Sequence, residues 1–301
     1  MLNASEIFFV SVRCSQGRYL LRPSPETNEV LGGVLSRAVR LHGVELFSFS
    51  VISSHIHLVV RAPRGNLPRF MQYLLANVSK KVGRLVQWRG SFWERRYSVQ
   101  PILDDAALLE RVRYVLSHGV KEGLVRRCRD WPGLSCLPLL LDGRPRCFRW
   151  YNWTRRTSGN SRKAKRKLLD ARWAEPEELQ LTPLPSPSLE SPEARRAFFR
   201  KAVRAIEEQG SRQYRTVLGA AGVLRQQPHD RPARSKRTPQ PLCHTTIPEL
   251  HAAFRERFRG FLAAFRSASL LWRAGDLTAV FPDGAIKPFV WPNPDRMSLA
   301  A

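Results

Sequence analysis

Between Ile52 and Val60 the sequence reads Ile-Ser-Ser-His-Ile-His-Leu-Val-Val, a run whose β-branched residues favour an extended chain. Extended backbone sends successive side chains to opposite faces, so His55 and His57 share one side of a strand while Ile56 and Leu58 share the other. Two neutral imidazoles side by side begin a metal site without finishing it, because a divalent ion takes at least four ligands. A third ligand, a nucleophile and a reason to bind phosphate have to come from elsewhere in the chain.

The surrounding patterns say what kind of sheet holds this strand. Residues 6 to 22 are rich in β-branched and aromatic residues around Gly17 and predict a strand with a short excursion. Val30, Leu31, Val34, Leu35, Ala38 and Leu41 recur at helical spacing and predict a helix from Glu26 to His42, ended by Gly43. Val44 to Ser50 and Ser54 to Arg61 read as two strands, the second carrying the histidine pair. A helix over Leu67 to Leu85 comes next, on Phe70, Leu74, Val78 and Val82. Gly90 to Val99 reads as an aromatic and basic loop leading into a strand. A third helix starts at Asp104, with Asp104 and Asp105 suited to its positive end, and runs to His118 or on to Val125. Strand, helix, strand, strand, helix, strand, helix fits a small α+β domain with helices packed on one face of an antiparallel sheet.

Charge supplies the reason to bind phosphate. The 301-residue chain carries a formal charge of +25, which implies a polyanionic partner, with nucleic acid leading. Both halves are basic, so the excess is not a tail. Five cysteines without a CxxC pair, Cys14, Cys128, Cys136, Cys147 and Cys243, read as reduced thiols. The absence of a signal sequence and of an apolar run of membrane-spanning length predicts a cytoplasmic protein with no membrane partner.

Beyond Trp131 the patterns thin out. Arg155 to Lys167 is densely basic, Thr182 to Ser188 reads as an extended Pro/Ser linker, and Gln226 to Pro241 as loop. Helices are predicted from Pro192 to Gln209 and from Pro248 to Trp272, and a short hairpin from Ala279 to Pro292. The predicted organisation is a catalytic domain over 1–136, a basic arm and linker over 137–188, and a basic, mostly helical C-terminal extension over 189–301 that is a candidate for DNA binding.

Within the third predicted helix, Tyr114 and His118 stand four residues apart and so face the same way. A hydroxyl nucleophile and a metal ligand projected from one helix turn can address one phosphate together. An isolated pair of this kind is more often a core aromatic and a charge at a helix end; what lifts this one is its company with His55 and His57.

Four blocks in order now resemble one family. They are His55-Ile56-His57; Gly90-Ser91-Phe92-Trp93-Glu94-Arg95-Arg96-Tyr97; Tyr114 through Val125; and Asp130-Trp131-Pro132 with Ser135. Over residues 6 to 136 the chain resembles the single-tyrosine HUH transposases (insertion-sequence-200-like), and within them the REP-associated tyrosine transposases. It departs in having Ile52-Ser53-Ser54 before the first histidine, where the family has Met-Pro-Asn, and His118-Gly119 where the family has Asn-Pro. An amide at that position is the family's third metal ligand, and imidazole is a competent substitute.

The resemblance implies a ferredoxin-like HUH nuclease domain that nicks and joins single-stranded or hairpin DNA. Tyr114 would be the nucleophile, forming a 5′-phosphotyrosine, and His55, His57 and His118 would hold Mg2+ or Mn2+. No nucleotide cofactor is needed, and the protein would act as a monomer or homodimer. Tyr97, beside Arg95 and Arg96, is the rival nucleophile. Candidate DNA contacts are Trp93, Arg95, Arg96, Arg126 and Arg127, then Arg155, Arg156, Lys163, Lys165, Arg166 and Lys167 in the basic arm. The alternatives are a domesticated DNA-binding protein of the same fold and a rolling-circle replication initiator or relaxase.

Overall fold

The computed structural model describes residues 4–158, 169–232 and 240–288, which fold as two compact units that divide between Thr246 and Ile247. The first unit opens with β1 (Ile7–Arg13), α1 (Pro25–His42), β2 (Glu45–Ile52), β3 (His55–Arg61), α2 (Leu67–Leu85), β4 (Ser98–Ile102) and α3 (Asp105–Lys121). Strands β1 to β4 make one antiparallel sheet in the order β2-β3-β1-β4, the ferredoxin-like arrangement. The histidine strand is therefore a central one.

Local chemistry sets the element ends. Ser24 accepts a hydrogen bond from Thr27 N and Pro25 occupies the first turn of α1, where a missing N–H costs nothing. Gly43, at φ 59°, ends that helix in the left-handed region that glycine enters without strain. Asp104 caps α3 by accepting from Ala107 N at 2.8 Å. The predicted second half of the first strand does not form: Gln16 and Gly17 turn the chain with positive φ, and Leu21 N bonds Ser53 O instead.

Both faces of the sheet are covered. Phe8, Val10 and Val12 of β1 and Ile56, Leu58 and Val60 of β3 are buried on one, the face of the two crossover helices α1 and α2, which pack on each other. Phe9 and His57 occupy the other, where they meet Tyr114 of α3.

The remainder of the first unit comprises α4 (Leu137–Asp142), β5 (Arg146–Tyr151), α5 (Trp153–Ser158), β6 (Ala174–Leu179), α6 (Pro192–Gln213) and α7 (Gly219–Arg225). The antiparallel pair β5-β6 lies against α1. A Cβ at Gly32 would overlap the Phe148 ring, and one at Gly33 the Arg149 carbonyl, so α1 is glycine-notched where β5 crosses it. Strand β6 reads Ala-Glu-Pro-Glu-Glu-Leu, a sequence with poor strand propensity. Its Glu175 and Glu177 are held by Arg37, and Glu177 also by Arg40, at 2.7 to 2.9 Å. Helix α6 packs on α3.

The Pro/Ser segment is extended in backbone but not free: Leu184, Ser186 and Leu189 are buried, and Ser186 Oγ donates to Asp105 at 3.0 Å. Residues 243–246 run beside β4, with His244 N bonded to Pro101 O and Leu103 N to His244 O.

The second unit is built on α8 (Pro248–Arg273). The rings of Phe254 and Phe258, and of Phe261 and Phe265, stack one turn apart along it, and Phe281 closes on Phe265 and Trp272. Ala279 to Phe281 forms no strand, and residues 289–292 of the other half of the predicted hairpin lie outside the described residues. Among the described residues no helix is long and apolar enough to cross a membrane.

Candidate metal and nucleophile centre

Strand register fixes the surroundings of the histidines. His57 pairs with Ser50 of β2 and with Ser11 of β1, and Ser11 pairs in turn with Ser98 of β4. A row of serines therefore crosses the sheet on either side of His57, and their short side chains leave room above the strand. His55 lies one step along, beside Ile52 and Arg13.

Helix α3 brings the third imidazole onto this face. The His57 and His118 rings lie 4.2 Å apart, His55 and His118 5.2 Å, and His55 and His57 4.8 Å. One nitrogen from each residue can be chosen so that all three lie within 4.8 Å of one another. Hydrogen bonds orient two of the rings. His118 Nδ1 donates to the Tyr114 carbonyl at 3.1 Å, which fixes the tautomer and leaves Nε2 as a lone pair. His55 Nδ1 bonds Ser54 Oγ at 3.0 Å. His57 Nδ1 is buried with no hydrogen-bond partner among the described residues, an arrangement that costs about 1–3 kcal/mol unless a ligand takes the atom.

Burial keeps the three rings neutral. It lowers His55 to about 3 and His118 to about 4, and holds His57 well below the ordinary histidine value; the neighbouring His118 adds to the effect at His55 and His57. Three neutral, mutually close imidazoles with an orphaned ring nitrogen fit a divalent cation, and the described residues hold no other comparable group of His, Cys, Asp and Glu. His118 is 2 % exposed and so is not the solvated charge at a helix end that an isolated histidine there would suggest.

Tyr114 stands edge-on to the triad, 4.6 Å from the His118 ring and 5.7 Å from that of His57, with Phe9 at 5.8 Å. Burial raises its hydroxyl above the ordinary tyrosine value, and Arg111 works against that rise. Tyr97 makes no ring contact with the triad among the described residues; it precedes β4, where Ser98 holds the position in register with Ser11 and His57.

Residues 12–118 match the family model described as Transposase IS200 like. Over these residues the chain is similar to the IS200-like transposases.

Two solved structures are similar to the chain. One, a REP-associated tyrosine transposase bound to a REP hairpin, is 16 % identical, with a TM-score of 0.41, over 47 % of this chain and 82 % of that one. The other, from Deinococcus radiodurans R1 and assigned as a transposase, is 17 % identical, with a TM-score of 0.29, over 36 % of this chain and 87 % of that one. No curated protein matches the chain.

The expected DNA contacts are placed unevenly. Arg95 and Arg96 are exposed on the loop before β4. Trp93 is turned inward, its indole N–H donating to Leu75 O at 3.1 Å and its ring against Phe92. Arg127 is exposed, and Arg126 donates to Arg215 O at 2.9 Å. Arg155 lies 3.9 Å from Glu175. The Arg156 side chain and residues Lys163, Lys165, Arg166 and Lys167 lie outside the described residues.

One residue near the site gave no signal in the sequence. His244 comes edge-on to Phe9 at 5.5 Å and bonds Gln100 at 3.1 Å, though 126 positions separate it from His118. Without neighbours of its own type at ligand spacing, it could be found only from the fold.

Proposed function

We propose that this chain nicks and joins single-stranded DNA by transesterification at Tyr114. The observation that carries the reading is the packing of Tyr114 and His118, one turn apart on α3, against His57 of the central strand. Tyr114 Oη attacks a backbone phosphorus, the bond from phosphorus to the 3′ oxygen breaks, and the proton lost by the phenol ends on the released 3′-OH. The phosphodiester bond is exchanged for a 5′-phosphotyrosine, so no nucleotide cofactor is consumed, and a second 3′-OH can reverse the step. His55, His57 and His118 are the residues to hold Mg2+ or Mn2+, which when bound would draw charge from the scissile phosphate. The Phe9 ring, stacked on His57 at 5.2 Å, holds that imidazole in place while the bond from His118 to the Tyr114 carbonyl ties ligand and nucleophile to one turn. The strong positive charge suits a polyanionic strand, and a hairpin-bearing single strand is the substrate class we assign.

The test is incubation with labelled single-stranded hairpins and Mg2+ or Mn2+, scored for a covalent protein adduct. Tyr114→Phe should abolish the adduct, by at least about a thousandfold as expected for loss of a nucleophile, while DNA binding survives. Tyr97→Phe should retain it. Adducts that persist in the first variant and vanish in the second would move the nucleophile to Tyr97.

A further inference from the structure

Four residues of α3 lie along one stripe of the helix: Arg111, Tyr114, His118 and Lys121, at steps of three, four and three. The outer two are cations, and both lie over the tyrosine ring, with Lys121 Nζ 4.3 Å and Arg111 Cζ 5.0 Å from its centroid. Side chains on a helix lean toward its N-terminus, so Lys121 reaches back from the last turn while Arg111 sits on the turn that the tyrosine leans over. Neither charge is well neutralised. Among the described residues no carboxylate lies within ion-pair distance of Lys121, and Arg111 has only Glu110, at 4.0 Å and largely exposed, a contact of little strength in water. Exposed Lys121 and half-buried Arg111 thus hold two positive charges at the ring of a half-buried tyrosine, beside three neutral imidazoles.

The geometry points to Arg111 and Lys121 as a cationic clamp that takes the non-bridging oxygens of a single-strand phosphate and presents its phosphorus to Tyr114. This rests on the reading of Tyr114 as nucleophile and adds the groups that bring the phosphate to it. Arg111 offers a planar fork that matches two phosphate oxygens, and Lys121 a mobile point charge. Negative charge that builds on those oxygens as the phenol attacks is met by donors already in place.

The clamp has a signature in binding alone. Each phosphate neutralised by a cation adds about 0.7 to the slope of log affinity against log salt for a single strand. With a labelled mixed-sequence single strand, without metal, Lys121→Gln and Arg111→Gln should each lower that slope by about 0.7, and Lys121→Arg should keep it. Arg113→Gln, exposed on the same helix but off the stripe, should leave the slope at the wild-type value. Slopes unchanged in both glutamine variants overturn the clamp, as does an equal fall in Arg113→Gln.

In the adduct assay at saturating hairpin DNA, Lys121→Gln and Arg111→Gln should slow adduct formation by at least about tenfold, as for one lost donor to a developing charge. Lys121→Arg, which folds with the charge in place, should recover most of the rate. Slopes that fall in a protein forming no adduct sink the nucleophile reading and leave the clamp standing as a phosphate site; adducts formed at wild-type rates in both variants, with slopes unchanged, sink the clamp alone.

Discussion

At the scale of single residues, the His57 environment explains why a two-histidine pattern was so informative. Alternation alone places His55 and His57 on one face, and helical spacing alone places Tyr114 with His118; neither says that the two faces meet. The sheet order does, since it puts the histidine strand at the centre, where α3 must cross it to bury Val112 and Val115. Spacing alone does not orient Trp93 either: in the fold its N–H donates to Leu75 O and its ring packs on Phe92.

The imidazoles also make a prediction about pH. Folded-state values of about 3 for His55 and about 4 for His118 lie below the ordinary 6.5, so the unfolded chain binds more protons as the solution acidifies. The stability contributed is present above pH 6.5 and is lost as pH falls from 6.5 toward 4. For His118 alone the loss at pH 5 is about 2 kcal/mol. Denaturant midpoints of the metal-free protein at pH 7.5 and pH 5 should differ accordingly, and the difference should shrink in His118→Asn; an equal shift in that variant would rule the residue out as its source.

At the scale of elements, α1, α2, α3, α6 and α8 were legible because each carries a period of its own, and the short helices α4, α5 and α7 and the pair β5-β6 were not. Strand β6 is made of the wrong residues for a strand and is held by Arg37 and Arg40 of α1, partners that no local window contains. The matching signal was Gly32-Gly33 inside an otherwise regular helix, a pair that makes room for Phe148 and the Arg149 carbonyl. Gly33→Val should push β5 off α1 and cost about 1–3 kcal/mol, as overpacking does, whereas Gly260→Ala, whose added Cβ would meet nothing, should be neutral or stabilising by about 0.5–1 kcal/mol. Thermal or denaturant unfolding of both variants checks the pair.

Asp104 ties two distant elements together. Its carboxylate caps α3 and also accepts from Thr245 Oγ1 at 2.6 Å, Thr246 N at 2.8 Å and Thr246 Oγ1 at 3.0 Å. These bonds hold it below the usual carboxylate range. Asp104→Ala should therefore cost more than the roughly 1 kcal/mol of an ordinary cap, and it should raise amide exchange in 243–246 as well as in the first turn of α3. A change confined to α3 would show that the second attachment contributes nothing.

At the scale of the whole molecule, most of the chain beyond residue 118 belongs to the same body as the β1–β4 sheet. Residues 137–246 read in sequence as arm, linker and separate helices because their polar and proline-rich stretches lack a period; in the fold, Phe148, Trp150, Leu184, Leu189, Phe199 and Ile206 are buried in the core that includes the sheet. A chain ending after residue 246 should melt in one cooperative transition near that of the full protein's first unit. One ending after residue 136 should lose several such contacts, at about 2–5 kcal/mol for each large side chain removed, and bind a hydrophobic dye. Calorimetry and dye fluorescence on the two truncations decide whether the unit is indivisible.

The seat of residues 243–246 beside β4 has a consequence in time. Proteins are made from the N-terminus, so the histidines, Tyr114 and Asp104 all leave the ribosome long before His244 and Thr246 exist. For that interval the outer edge of β4 is open, Gln100 lacks its partner, and Asp104 has only its own helix to serve. The triad and its tyrosine are thus the early part of the first unit, and the segment that seats beside β4 is the last piece of that unit to be delivered.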